Sequence, residues 1–129
     1  MTRMCVMLID DEADIVFILK KGLTLKGFEV HAFTDPREAL AHFVPNQYDA
    51  ILTDIKMPNM TGLELYEEIR KQDPSVRVYF LSAFEAFAAE IRDKLSGDAE
   101  LVQFIKKPTT YSALAEALQR GLGKKRVTV

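Results

Sequence analysis

The chain reads as a single α/β domain, a doubly wound parallel sheet with helices on both faces, and three features predict it. Strand-like and helix-like patterns alternate five times with short connections, which implies right-handed β-α-β crossovers. The runs at residues 4–9 and 76–81 are almost continuously apolar, as strands buried on both faces are. Four strand ends carry chemically capable side chains, and in a parallel sheet all four lie on one edge.

The first strand, residues 4–9, stops at Asp10-Asp11-Glu12. Residues 13–26 follow helical spacing, with Ile15, Ile18, Leu19 and Leu23 on the inward side and Lys20, Lys21 and Lys26 towards water. Gly27 ends that helix. Residues 28–33 alternate apolar and polar, as a strand near a sheet edge does. Thr34-Asp35-Pro36 is a helix start, a capping oxygen followed by a first-turn proline. Ala39, Leu40 and Phe43 give this helix its apolar stripe, and Pro45-Asn46 closes it.

The third strand begins with the apolar run at 48–52 and leads to Asp54. Pro58 cannot donate to a sheet ladder and biases Met57 away from helix, so the strand stops close by. Thr61-Gly62 opens a helix reaching about Gln72, with Leu63, Leu65, Tyr66 and Ile69 inward, and Asp73-Pro74 is a turn. Residues 76–81 form the fourth strand, ending in Ser82-Ala83. Residues 84–95 are helical by composition, Ser96-Gly97-Asp98 breaks that helix, and 101–105 is the fifth strand. Lys106-Lys107-Pro108 ends it, an amphipathic helix covers 110–122, and Gly123-Lys124-Lys125-Arg126 is a short basic tail. Internal repeats, low-complexity tracts and a second domain are absent from the pattern.

A length of 129 residues suffices for one domain with a real core. Hydrophobic residues make up 48% and charged residues 28%, an ordinary globular composition. A net charge of −2 gives no reason to expect nucleic acid or an anionic membrane as this domain's own partner. The single cysteine, Cys5, excludes an internal disulfide and a multi-cysteine zinc site, and within its apolar run it reads as a packing residue. No apolar stretch approaches the roughly 20 residues of a membrane span, and the amino terminus lacks a signal-peptide pattern. The expected location is the cytoplasm.

Asp10, Asp11 and Asp54 meet on the carboxyl edge of such a sheet, and three unpaired carboxylates there would repel. A hard divalent cation removes the conflict, and an all-oxygen set suits Mg²⁺, which keeps waters and accepts phosphate oxygens. Lys107 adds a positive charge, Ser82 a hydroxyl and Ala83 a backbone N–H. Together these form a cradle for a phosphoryl group, whose transfer asks mainly for positioning and charge neutralisation, with a carboxylate as nucleophile. Read singly, the same residues are bland: a solvated helix start, a turn hydroxyl, a charged strand end. Their joint occurrence at four strand ends is what points to a site.

The chain resembles the receiver domain of two-component response regulators over residues 4–122, leaving 123–129 as a tail or the start of a linker. The resemblance rests on Leu8-Ile9-Asp10-Asp11-Glu12, on Leu52-Thr53-Asp54-Ile55-Lys56-Met57-Pro58 with Gly62, on Leu81-Ser82-Ala83, and on Phe104-Ile105-Lys106-Lys107-Pro108. It implies a (βα)5 flavodoxin-like fold with strand order 2-1-3-4-5. By the same resemblance Asp54 is the phosphoacceptor, and Asp11, Asp54 and the carbonyl of Lys56 hold Mg²⁺, with Asp10 acting through water. Lys107 pairs with the phosphoryl group through a position whose bond to Pro108 is usually cis in the family, and Ala83, Lys56 and Met57 complete the pocket. Ser82 and Phe104 form a switch that repacks the surface of the fourth helix, fifth strand and fifth helix. Without the resemblance, Phe104 reads as a static core aromatic.

The implied function is a signalling phosphoacceptor rather than a turnover enzyme. It takes its phosphoryl group from a sensor histidine kinase or phosphotransfer protein and assists its own Mg²⁺-dependent phosphorylation. Lys56 and Phe84, two residues after the acceptor and two after the hydroxyl, offer no carboxylate or amide to orient an attacking water, which predicts slow self-dephosphorylation. The stretch from Ser82 to Lys107 is about three residues longer than the usual family pattern. Its extra length falls at Ser96-Gly97-Asp98-Ala99-Glu100, on the face through which the family offers homodimerisation. The alternative is a receiver-like scaffold or dimerisation module working without phosphorylation, whose signature would be a lost acceptor, acidic pair or lysine. An aspartate-nucleophile phosphatase would place a second aspartate where Lys56 stands, and a nucleotide or flavin binder would carry a Gly-rich loop after the first strand.

Overall fold

The computed structural model of the protein describes residues 3–83 and 85–122, the side chains of 85–87 excepted. Phe84 and the basic residues of the tail lie outside the described residues. The strands are β1 Cys5–Ile9, β2 Glu29–Phe33, β3 Ala50–Asp54, β4 Arg77–Ser82 and β5 Val102–Lys106. The helices are α1 Ala13–Leu25, α2 Pro36–His42, α3 Gly62–Gln72, α4 Glu85–Lys94 and α5 Tyr111–Leu122, with a short 3₁₀ turn at Ser96–Asp98. The strands form one sheet in the order β2-β1-β3-β4-β5, every neighbouring pair parallel.

The strand pleat divides the core between two layers. Met7, Ile9, Ile51, Val78 and Phe80 face α2, α3 and α4, where they meet Ala39, Leu65, Ile69 and Ile91. Val6, Leu8, Leu52, Tyr79 and Leu81 face α1 and α5, against Val16, Leu19, Leu23, Leu114 and Leu118. β1 and β3 are thus apolar on both faces, whereas β2 at the edge runs from exposed Glu29 through buried Val30 to partly exposed His31.

Local signals set the helix starts. The Asp35 side chain caps α2 by accepting from the Arg37 N–H at 3.0 Å, with Pro36 in the first turn. Thr61 and Glu64 form a reciprocal capping box at α3, with bonds of 3.1 and 3.0 Å.

Four details depart from the sequence expectation. Ile18 is 55% exposed, and α1 instead buries Val16, Leu19, Gly22 and Leu23. The cause is α5: a Cβ on Gly22 would lie 2.0 Å from the Tyr111 ring, so α1 turns its glycine to that helix and Ile18 to water. Asp54 belongs to β3 itself, while Tyr48 and Asp49 precede it, and Asp49 instead accepts from the Cys5 N–H at 2.8 Å. β4 and β5 each extend one residue further than their apolar runs, through Ser82 and Lys106, because the ladder pairs those two residues. Ser96–Asp98 does not merely break the fourth helix but forms a 3₁₀ turn, which Asp98 anchors to α3 by pairing with Arg70 at 2.9 Å.

Candidate functional site

β1, β3, β4 and β5 deliver their carboxyl ends to one edge, and the order reverses between β1 and β3, so a crevice opens between Asp10 and Asp54. Asp10 is fully buried, and its Oδ1 accepts from the Glu12 N–H at 3.0 Å, which fixes the carboxylate just beyond β1. Asp54 Oδ1 accepts from the Ile55 N–H at 2.8 Å. Just past β5, the Lys107 Nζ donates to Asp10 Oδ2 at 2.7 Å and to Asp54 Oδ2 at 3.2 Å. The Lys107 backbone is held by its N–H to the Ser82 carbonyl, 2.8 Å, and the Lys107–Pro108 bond is cis.

Burial pushes the Asp54 carboxyl above the usual range, and the Asp10 charge adds to that, against the pull of Lys107. Burial alone would lower Lys107, but Asp10 and Asp54 together hold it above its ordinary value. One ammonium therefore serves two carboxylates, while Asp11 stands exposed beside them. Oxygens of Asp10, Asp11 and Asp54 lie within 4.8 Å of one another. An all-carboxylate set left with more negative than positive charge is the donor chemistry of a hard cation, so these residues fit Mg²⁺.

Ser82, Ala83, Lys56 and Met57, also predicted, lie at or just past the carboxyl ends of β3 and β4. Ser82, at the end of β4, is 8% exposed, and Ala83 after it is exposed. Lys56 is exposed in the β3–α3 loop, whereas the Met57 side chain is buried among the residues under α3. Gly62 lets that loop close: its N–H donates to the Ile55 carbonyl at 2.7 Å, and a Cβ there would meet the Asp54 carbonyl at 2.2 Å. Phe104 is further off, on the α4 side of β5, stacked on Phe80 at 5.5 Å with the Arg92 guanidinium 4.7 Å from its centroid. It borders a groove of about 300 Å³ shared with Leu95, Ala99 and Val102. Sequence reasoning missed both the direct pairing of Asp10 with Lys107 and the Arg92 cover on Phe104. Neither has a sequence signal: the first joins residues 97 apart in the chain.

Sheet order and reactive edge define a class, the doubly wound α/β domains with a ligand site at the switch point of the sheet. The family model described as response regulator receiver domain matches residues 6–119, and the chain belongs to that family. Among curated relatives, it is 34% identical over 110 residues to the transcriptional regulatory protein PrrA of Mycobacterium tuberculosis, covering 84% of this chain and 46% of that protein. It is 34% identical over 116 residues to the chemotaxis protein CheY of Thermotoga maritima, covering 89% and 94%. The chain thus spans about half the length of PrrA but nearly all of CheY. Among solved structures, the chemotaxis response regulator CheY4 of Vibrio cholerae superposes with a TM-score of 0.80 at 29% identity, covering 93% of this chain and 99% of that one. No helix among the described residues is long and apolar enough to cross a membrane.

Proposed function

We propose that the chain is a phosphorylation-controlled switch in which Asp54 accepts a phosphoryl group from a histidine kinase or phosphotransfer protein. The observation that carries this reading is the Lys107 ammonium bridging Asp10 and Asp54 at 2.7 and 3.2 Å beside Asp11. A carboxylate oxygen of Asp54 attacks phosphorus, the bond from phosphorus to the donor breaks, and the donor leaves with the electron pair. Asp11, Asp54 and the Lys56 carbonyl would hold Mg²⁺, with Asp10 acting through water, and the ion would neutralise charge on the phosphoryl oxygens. Lys107 neutralises a further oxygen, while Ser82 and the Ala83 N–H, with Lys56 and Met57 nearby, complete the cradle.

Residues 4–122 make up this receiver unit, with 123–129 as tail or linker, and it works in the cytoplasm without binding nucleic acid itself. Ser82 moving towards the new charge frees Phe104 to follow, which repacks the α4-β5-α5 face for a downstream partner or a second copy. The retained acceptor, acidic pair and lysine favour this reading over a phosphorylation-independent scaffold.

The test is incubation with acetyl phosphate, with and without Mg²⁺, read by intact mass. A single phosphoryl adduct that needs Mg²⁺ and disappears in Asp54→Asn is expected. No adduct, together with no spectroscopic response to beryllofluoride, would leave the scaffold reading standing.

A further inference from the structure

The edge of the sheet opposite Asp54 carries a second cluster of donor atoms, and it differs from the first in kind. β1 and β2 run side by side there, Cys5 opposite Glu29 and Met7 opposite His31, so Cys5, Glu29 and His31 share one face of the sheet. Cys5 Sγ lies 3.5 Å from Glu29 Oε2, which is 2.8 Å from His31 Nε2. One donor atom from each of the three residues lies within 4.8 Å of the others. Tetrahedral zinc, with bonds of about 2.0–2.3 Å, needs donors roughly 3.3–3.8 Å apart; Cys5 Sγ and Glu29 Oε2 stand at 3.5 Å, while Glu29 and His31, at 2.8 Å, would have to draw apart.

The surroundings suit a cation. Tyr48 Oη lies 2.8 Å from His31 Nδ1, and its ring, 2% exposed, is stacked with Phe43 at 5.7 Å. When Nδ1–H donates to this fixed hydroxyl, the lone pair of Nε2 faces Cys5 and Glu29, the outer-shell arrangement of metal-ligating histidines. Asp49 adds a carboxylate at the Cys5 N–H, 2.8 Å away. The Cys5 side chain is buried, with the Glu29 carboxylate 3.5 Å from its sulfur. Arg3 is the cation acting on Glu29 from outside. The Glu29 and His31 side chains are 53% and 33% exposed, which leaves a route in from solvent above the buried sulfur.

We infer that Cys5, Glu29 and His31 form a three-donor site for a borderline divalent cation of the zinc type, with water in the fourth position. Binding replaces the thiol proton, which passes to solvent, so affinity falls as pH falls. Sulfur and nitrogen donors select this class of ion over Mg²⁺, so the two edges of the sheet discriminate between cations by ligand chemistry.

Cobalt(II) titration of the intact chain in excess Mg²⁺ tests the site. One equivalent should bind with a sulfur-to-cobalt charge-transfer band in the near ultraviolet, unchanged in Asp54→Asn and absent in Cys5→Ser. Zn²⁺ should displace it and raise the melting temperature by mass action. His31→Gln, at a partly exposed position, should weaken binding by more than the roughly 10- to 100-fold that an outer-shell loss costs. Tyr48→Phe should weaken it within that 10- to 100-fold range. Binding without the sulfur band, no binding at all, or unchanged affinity in His31→Gln overturns the assignment.

Discussion

Gly62, which packs against the Asp54 backbone, has a consequence of its own. Gly62 is fixed by backbone, not by side-chain chemistry, because any Cβ there meets the Asp54 carbonyl and the Ile55 Cα at 2.2 and 3.0 Å. Gly62→Ala should therefore cost about 1–3 kcal/mol by forced displacement of the loop, and displace Asp54 as well. Urea unfolding and the acetyl phosphate adduct rate should fall together; a wild-type denaturation midpoint would show that the loop yields freely. On the proposed function, Lys56 and Phe84 set how long a phosphoryl group survives, since neither offers a carboxylate or amide to orient a water. The wild-type phosphoprotein should lose its phosphoryl group at least about tenfold more slowly than Phe84→Glu, which supplies a general base. Equal decay in a phosphate-release assay would remove that role from Phe84.

Among the elements, the turn at Ser96–Asp98 joins α4 to β5 through a partly buried anchor on α3. Asp98 accepts from the Tyr66 hydroxyl and pairs with Arg70 Nε at 2.9 Å. Arg70 also donates to the carbonyls of Asp73 and Val76 at 3.1 and 2.7 Å, and its guanidinium lies 4.9 Å from the Tyr66 centroid. The Ser96–Asp98 turn is thus tied to α3 rather than left as a loose loop between α4 and β5. Loops absorb insertions at small entropic cost, but a half-buried charged anchor gives this one a defined position. Asp98→Ala should cost about 1–3 kcal/mol, and Asp98→Asn less, because it keeps a hydrogen-bond acceptor while losing charge. Chemical denaturation with an unchanged m-value checks this; a loss below about 0.5 kcal/mol would falsify the anchor.

For the whole molecule, buried acids dominate the alkaline response. Burial raises Cys5 from 9.0 to about 12 and also raises Tyr48, Tyr79 and Tyr66 above the ordinary phenol value. The folded state therefore keeps protons that the unfolded chain has lost, and stability falls as pH rises. In chelator-treated buffer, denaturation free energy should be level near neutrality and decline from about pH 9 towards about pH 12, with a shallower slope in Cys5→Ala. A flat profile through pH 11 would contradict the burial of these groups.

The same scale shows what local pattern carries. Alternation of strand and helix signals, the capping residue Asp35, the helix start at Thr61-Gly62, and polar side chains at four strand ends were legible in the sequence, because each is set within a few residues of chain. With parallel strands, those signals suffice to gather Asp10, Asp54, Ser82 and Lys107 on one edge. Only the tertiary structure gave Lys107 to Asp10 first and Asp54 second, turned Ile18 outward so that Gly22 meets Tyr111, and tied Asp98 to Arg70. It alone brought Cys5, Glu29 and His31 together, too. Those outcomes depend on packing between segments distant in the chain, where contact geometry, rather than residue type or spacing, decides which partner a side chain meets.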